Sequence, residues 1–308
     1  MGFDHILLIG FGGPARPEDV LPFLQVVTKG TNVPEARLRE VAHHYEQTGG
    51  FSPYNEHAFR LADRLRKSLE AEGIALPVFI GMRNWHPFFK ETLLQISQKG
   101  LKKGIGVILA PHRSYSSFEK YTASLEEAQK ETGTASIRYD YLGPWHTHPL
   151  FIAAQADHVR KILDPLDPRE KEATQLIFCA HSIPSQIAGI SRYAEEFKES
   201  SACVARQLKH DAWTTAYQSR SGPPSQPWLE PDIGNVIRDL KKKGWRRAVV
   251  VPVGFLFDHT EVLYDLDLEA KNDAREAGIE FQRASTVMDH PKFVTMFIEL
   301  IKERAGAS

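Results

Sequence analysis

The stretch Ala248–Gln282, AVVVPVGFLFDHTEVLYDLDLEAKNDAREAGIEFQ, reads as one complete strand–turn–helix–strand unit. Ala248–Val253 is a short apolar run of the kind found in strands buried on both faces. Gly254–His259 makes a tight turn, Glu261–Ala277 is amphipathic with helical period, and Ile279–Gln282 supplies a second apolar run. A strand that crosses through a helix to another strand belongs in a parallel sheet covered by helices. The helix also carries an oddity, because Glu261, Asp265 and Glu269 follow one another at intervals of four. Like charges at that spacing cost roughly 0.2–0.5 kcal/mol per pair, so the row calls for a compensating cation. On its own such a row is most often a solvated helix face. Its position after a strand end points instead to a metal ion.

The same alternation extends through the chain. Short apolar runs recur at Ile6–Ile9, Val78–Ile80, Val107–Leu109 and Ile137–Tyr141, then at Leu176–Cys179, Thr214–Tyr217, Ala248–Val253 and Ile279–Gln282. Amphipathic segments lie between them at Glu56–Glu72, Phe88–Gln98, Phe118–Lys130, Phe151–Leu163, Ile233–Lys243 and Glu261–Ala277. Two sets of four strands predict an α/β protein of two similar lobes, each with a four-stranded parallel sheet, and a cleft between them. The joint falls near Gly143–Pro149, which sets the lobes at residues 1–148 and 149–308. A last amphipathic run, about residues 291–305, follows the final strand and is placed to pack back on the first lobe. The doubled four-strand pattern is consistent with a distant internal repeat.

Composition bounds the partners. The 308 residues are 42% hydrophobic and 25% charged with a net charge of −1, an ordinary globular balance without a basic field for nucleic acid or anionic lipid. Met1–Pro14 lacks the basic and long apolar regions of a secretory leader, and no run approaches the roughly 20 apolar residues of a membrane span. A cytoplasmic protein without membrane insertion is expected. Cys179 and Cys203 form no CxxC and are too few for a zinc or iron–sulfur site.

Ligands of open α/β sheets bind beyond the carboxyl ends of the strands. Four such ends carry chemistry: Gly10–Pro14, Ala110–Ser114, Ala180–Pro184 and Gly254–Glu261. Gly10-x-Gly12-x-x-Ala15 superficially fits a dinucleotide fingerprint, but Pro14 occupies the turn and the next strand lies far outside the roughly 30-residue unit that motif needs. These glycines mark either a tight turn or a close approach to a large flat ligand. His181 emerges at a strand end, where a neutral imidazole can accept a proton or bind a borderline metal. With Glu261 on a neighbouring strand end it gives one nitrogen and one carboxylate, too few for a structural zinc and suited to a metal being handed on. Asp265 and Glu269, at a rise of about 6 Å per four residues, extend hard oxygen ligands outward from Glu261. Asp258 and His259 are expected to cap the helix. Gly49-Gly50 ends a helix bearing His43, His44 and Tyr45, leaving Tyr45 and Ser52 as donors to an anion. Phe11, Phe51, Trp85, Trp228 and Phe255 can line a flat apolar pocket.

Seven stretches in order complete the pattern: Leu7–Pro14 (LLIGFGGP), Tyr45–Pro53 (YEQTGGFSP), Gly81–Pro87 (GMRNWHP), Phe178–Pro184 (FCAHSIP), Tyr217–Gly222 (YQSRSG), Trp228–Pro231 (WLEP) and Val251–Asp267 (VPVGFLFDHTEVLYDLD). Through them the chain resembles ferrochelatases over nearly its whole length. The resemblance implies two Rossmann-like lobes clamping a porphyrin, with Fe2+ as substrate, two pyrrole protons released, no organic cofactor and no iron–sulfur cluster. It makes His181 and Glu261 the catalytic and metal-binding pair, with Asp265 and Glu269 as the acidic row that handles the metal.

Ala110–Tyr121 (APHRSYSSFEKY) and the short stretch after Leu24 resemble the bacterial coproporphyrin III enzymes more than those acting on protoporphyrin IX. That resemblance carries propionate binding onto Tyr45, Ser52 and Tyr121, with Lys29 and His44 near positions that usually hold arginine. Phe11 stands where the subgroup usually has a tyrosine able to ligate iron, a role phenylalanine cannot take. Gly189–Tyr193 replaces the common Gly-Asp-Pro-Tyr. The alternatives are a protoporphyrin IX ferrochelatase, a cobalt chelatase of similar fold, or a two-lobed module that binds tetrapyrrole without chemistry. Oligomeric state is left open, with a monomer favoured.

Overall fold

The computed structural model describes residues 2–31, 33–222 and 225–306. The chain forms two compact units. One is assembled from residues up to Ala110, Tyr115–Gly143 and the segment from Met288 onward, rather than from one uninterrupted stretch ending at residue 148. The other takes Pro111–Ser114 and Pro144–Val287.

In the first unit, β1 (His5–Gly10), β2 (Val78–Met82), β3 (Lys103–Ile108) and β4 (Arg138–Tyr141) form a parallel sheet in the order β2-β1-β3-β4. Leu8 pairs with Ile80 on one side and Val107 on the other, so all of β1 is buried. The Pro291–Ala305 helix packs on the Tyr54–Ala71 helix. Arg60 and Arg64 grip the nearly buried Asp289 at 2.9 and 2.6 Å, and Lys302 and Arg304 reach Glu72 and Asp140 at 2.9 and 2.8 Å.

In the second unit, β5 (Thr174–His181), β6 (Trp213–Gln218), β7 (Arg247–Val251) and β8 (Glu280–Arg283) repeat the topology in the order β6-β5-β7-β8. Every residue of β5 from Thr174 to Ala180 is buried, as a central parallel strand requires. Phe178 is wholly enclosed, and burying such a side chain contributes about 1.5–3 kcal/mol. All eight strands lie where the apolar runs place them, and both sheets are parallel. Among the described residues no helix is long and apolar enough to cross a membrane.

Candidate active site

His181 is the last residue of β5 and pairs with Gln218 at the end of β6. The strand pushes its ring out at the carboxyl edge of the sheet, where a third of the side chain is exposed. Nδ1 faces the carbonyl oxygen of Ser182. A carbonyl only accepts, so Nδ1 carries the proton and the neutral ring keeps its lone pair on Nε2. Nε2 lies 3.6 Å from Oε2 of Glu261. That is too long for a direct hydrogen bond, yet close enough for the carboxylate to stabilise an imidazolium or for the pair to share a ligand. The Tyr193 hydroxyl donates to the His181 carbonyl at 2.8 Å, and Ser182 Oγ to the Leu229 carbonyl at 2.9 Å, fixing the backbone on both sides of the ring's anchor.

Glu261 reaches His181 because the preceding turn folds tightly onto β5. The Gly254 N–H donates to the Cys179 carbonyl at 3.1 Å, and a Cβ at Gly254 would lie 2.5 Å from that of Ala180. Only glycine permits this approach. The expected capping by Asp258 and His259 does not occur. His259 is the N-cap residue but its side chain makes no capping bond to the helix, while Asp258 accepts instead from Thr286 Oγ1 at 2.8 Å and from Arg283. Burial lowers the affinity of the His259 ring for a proton, so it is neutral at pH 7, with Nδ1 4.0 Å from Glu261.

The helix that follows is not a single α-helix. Thr260–Val262 makes one turn, Leu263–Ala270 winds as a π-helix, and Lys271–Ala277 returns to α. The reason is legible in the burial. Val262, Leu266, Ala270 and Ala274 are all buried, a strict repeat of four that would drift by about 40° per step on a helix of 3.6 residues per turn. The wider i→i+5 winding turns the chain by less per residue and so offsets that drift. Asp273 continues the row but is neutralised by Arg238 at 2.6 Å.

Asp265 is the most enclosed member. It accepts from Ser219 Oγ and, at 3.3 Å, from Gln218 Nε2, which also donates to the Glu261 carbonyl at 3.2 Å. Burial pushes its carboxyl up to about 7, against the Ser219 hydrogen bond and helped by the charges of Glu261 and Glu269. Glu269 is raised as well, by burial first and then by Asp273, with a hydrogen bond from Tyr264 opposing. Ser219, held at φ 59°, and Gln218 sit inside the YQSRSG stretch, but nothing in their spacing assigns them to Asp265.

The remaining candidates belong to the first unit. Phe11, Phe23, Tyr45 and Trp85 form an aromatic group in which Phe23 meets the other three edge-on at 6.0–6.3 Å between centroids. Phe11 also packs against the core cluster containing Tyr121. Tyr45, Ser52 and Tyr121 are buried, His44 is half-buried and Lys29 is exposed at the end of the Val20–Val27 helix. Burial pushes the Tyr121 hydroxyl well above its ordinary value, so it remains a neutral donor. The glycines of Gly10–Pro14 serve packing: a Cβ at Gly10 would meet Met82 Sδ at 2.6 Å, and one at Gly13 would meet Ser52 at 2.9 Å.

Among the described residues no three His, Cys, Asp or Glu side chains converge as a ready metal cage. The described residues hold a histidine beside one exposed carboxylate, with a more enclosed carboxylate four residues on.

The family model described as Ferrochelatase matches residues 4–305. The chain is 41% identical to a ferrochelatase of Rhodopirellula baltica, covering 99% of this chain and 87% of that protein. It is 39% identical to a coproporphyrin III ferrochelatase of Nocardia farcinica, with 98% and 88% covered. Among solved structures, the sirohydrochlorin chelatase SirB from Bacillus subtilis in complex with cobalt matches with a TM-score of 0.59 at 12% identity, covering 99% of this chain and 96% of that one. At that identity the likeness speaks for the fold alone.

Proposed function

The chain belongs to the ferrochelatase family, and from that premise we propose that it inserts Fe2+ into coproporphyrin III in haem synthesis. The metal enters as the divalent ion and two pyrrole N–H protons leave, so charge balances without any change of oxidation state. No organic cofactor is needed. With only Cys179 and Cys203 in the chain, the four thiolates of an ordinary iron–sulfur cluster are lacking.

The observation that carries this reading is the His181 ring, whose protonated Nδ1 is committed to Ser182 while Nε2 is turned toward Glu261. Nε2 receives a pyrrole proton, and the Glu261 carboxylate stabilises the resulting imidazolium. The same lone pair is a ligand for iron before that proton arrives. Asp265 and Glu269, both on the π-helix, deliver hydrated Fe2+ toward Glu261. Phe11 and its aromatic neighbours offer a flat apolar surface for the macrocycle, and Lys29, His44, Tyr45, Ser52 and Tyr121 are assigned to its propionates. The choice of coproporphyrin III rests on the named relatives and on the Ala110–Tyr121 stretch. We place the reaction in the cytoplasm and the metal-handling groups on a monomer.

Asp265→Asn tests the delivery role. With the carboxyl titrating at about 7, raising the pH through 7 creates the negative charge that attracts iron, so the apparent KM for Fe2+ should fall across that window. Asp265→Asn should remove the inflection and raise the iron KM by about tenfold, leaving the porphyrin KM in place. Equal changes in both constants would argue against delivery. The same shift has a stability sign: a carboxyl raised above its unfolded value makes the folded state less stable as pH rises from about 4 to about 7. Thermal melts of wild type and Asp265→Asn should therefore diverge over that window.

A further inference from the structure

Residues 258–269 hold five carboxylates, yet only three belong to the row that faces iron. The other two, Asp258 and Asp267, turn to a single guanidinium. Arg283, the last residue of β8, donates from Nε and Nη2 to Asp267 at 2.7 and 2.8 Å. From Nη1 and Nη2 it also donates to Asp258 at 3.1 and 3.2 Å. Its side chain is only 12% exposed, and Thr286 Oγ1 adds a fifth bond to Asp258 at 2.8 Å. The backbone beneath is fixed by the β7–β8 pairing of Val250 with Arg283 and by the Ala284 N–H donating to the Val250 carbonyl at 2.9 Å.

From this geometry we infer that Arg283 is a positioning residue for the iron-handling row. Asp258 stands three residues before Glu261, and Asp267 two after Asp265. A planar fork that grips both carboxylates closes the segment between them into a ring anchored on the sheet. Such a fork fixes the relative orientation of two carboxylates, which a point charge cannot do. The ring encloses the passage from the turn into the π-helix, the place where the winding departs from α. Charge follows the same division: the guanidinium offsets one of the two negative charges behind the row, and its donors are spent on Asp258 and Asp267 rather than on Glu261, Asp265 or Glu269.

The inference rests on the proposed iron insertion, and its test keeps the two separable. Arg283→Lys retains the charge and loses the fork, so the apparent KM for Fe2+ should rise by about tenfold while the porphyrin KM stays within about twofold. Thr286→Val removes only the fifth bond and should raise the iron KM by about threefold. A merely structural role would lower the melting temperature and leave both constants of the folded enzyme alone. Folded Arg283→Lys protein with a wild-type iron KM overturns the inference, and if that variant does not fold, a wild-type iron KM in Thr286→Val does so. Failure of the proposed function would show differently, as no insertion by the wild type. The clamp is then read by anaerobic calorimetric titration of Fe2+ alone into wild type and Arg283→Lys. Weaker binding by the variant supports it, and equal binding, or none by either, overturns it.

Discussion

Replacing His181 with alanine should lower the rate of Fe2+ insertion by about 10²–10⁴, the usual contribution of a positioned histidine to proton transfer. The protein should stay folded. The ring lies at the end of β5 with a third of its side chain exposed, and the strand below it, Thr174–Ala180, is buried independently of it. The backbone at 181 is held by Tyr193 and by the sheet, neither of which the substitution removes. A change in stability within about 1 kcal/mol follows for a partly exposed edge residue. The loss should fall on the rate at saturating iron and porphyrin, because the role proposed for the missing group is to receive a proton during the reaction. Circular dichroism and a thermal melt establish the fold, and anaerobic stopped-flow absorbance follows insertion. A folded variant inserting at the wild-type rate would remove His181 from the chemistry.

Glu261→Gln should cost about 10- to 100-fold in rate, the range for a partner that supports a reacting imidazole. The amide keeps the shape of the side chain and discards the charge, so the 3.6 Å approach to Nε2 no longer stabilises an imidazolium. Glu261 is half exposed, so its loss should leave stability nearly unchanged. A second readout follows from its neighbour. Because the Glu261 charge helps raise the Asp265 carboxyl, Glu261→Gln should shift the pH inflection of the iron KM downward from about 7. Loss of rate without that downward shift would separate the two carboxylates and break the row into unrelated groups.

The central strands β1, β3, β5 and β7 were legible because strands buried on both faces are continuous apolar runs, while the edge strands β4 and β8 are only partly buried and gave shorter signals. The Tyr193–Leu208 helix was not legible, for the opposite reason. Its buried face includes Glu196, Ser200 and Ser201, which have no hydrophobic signature. Those groups are satisfied from distant segments: Glu196 accepts the Arg113 N–H at 2.7 Å, and Ser200 donates to the His146 carbonyl at 2.8 Å. His181 and Glu261 could be picked out as a histidine and a glutamate beyond the carboxyl ends of strands. The bonds around them could not, since Tyr193 to His181, Ser219 to Asp265 and Arg283 to Asp267 and Asp258 span 12, 46 and 16–25 positions. The π-helix was available in principle. Its four-residue repeat is present in both the apolar and the acidic positions, whereas α-helical spacing alternates three and four.

The account is tested most directly by anaerobic insertion of Fe2+ by the wild-type protein into coproporphyrin III and protoporphyrin IX, side by side under the same conditions. It predicts conversion of coproporphyrin III to its iron complex, with two protons released per iron and a clear preference over protoporphyrin IX. Insertion into neither would leave a tetrapyrrole-binding module without chemistry and contradict the account, and a strong preference for protoporphyrin IX would overturn its substrate assignment.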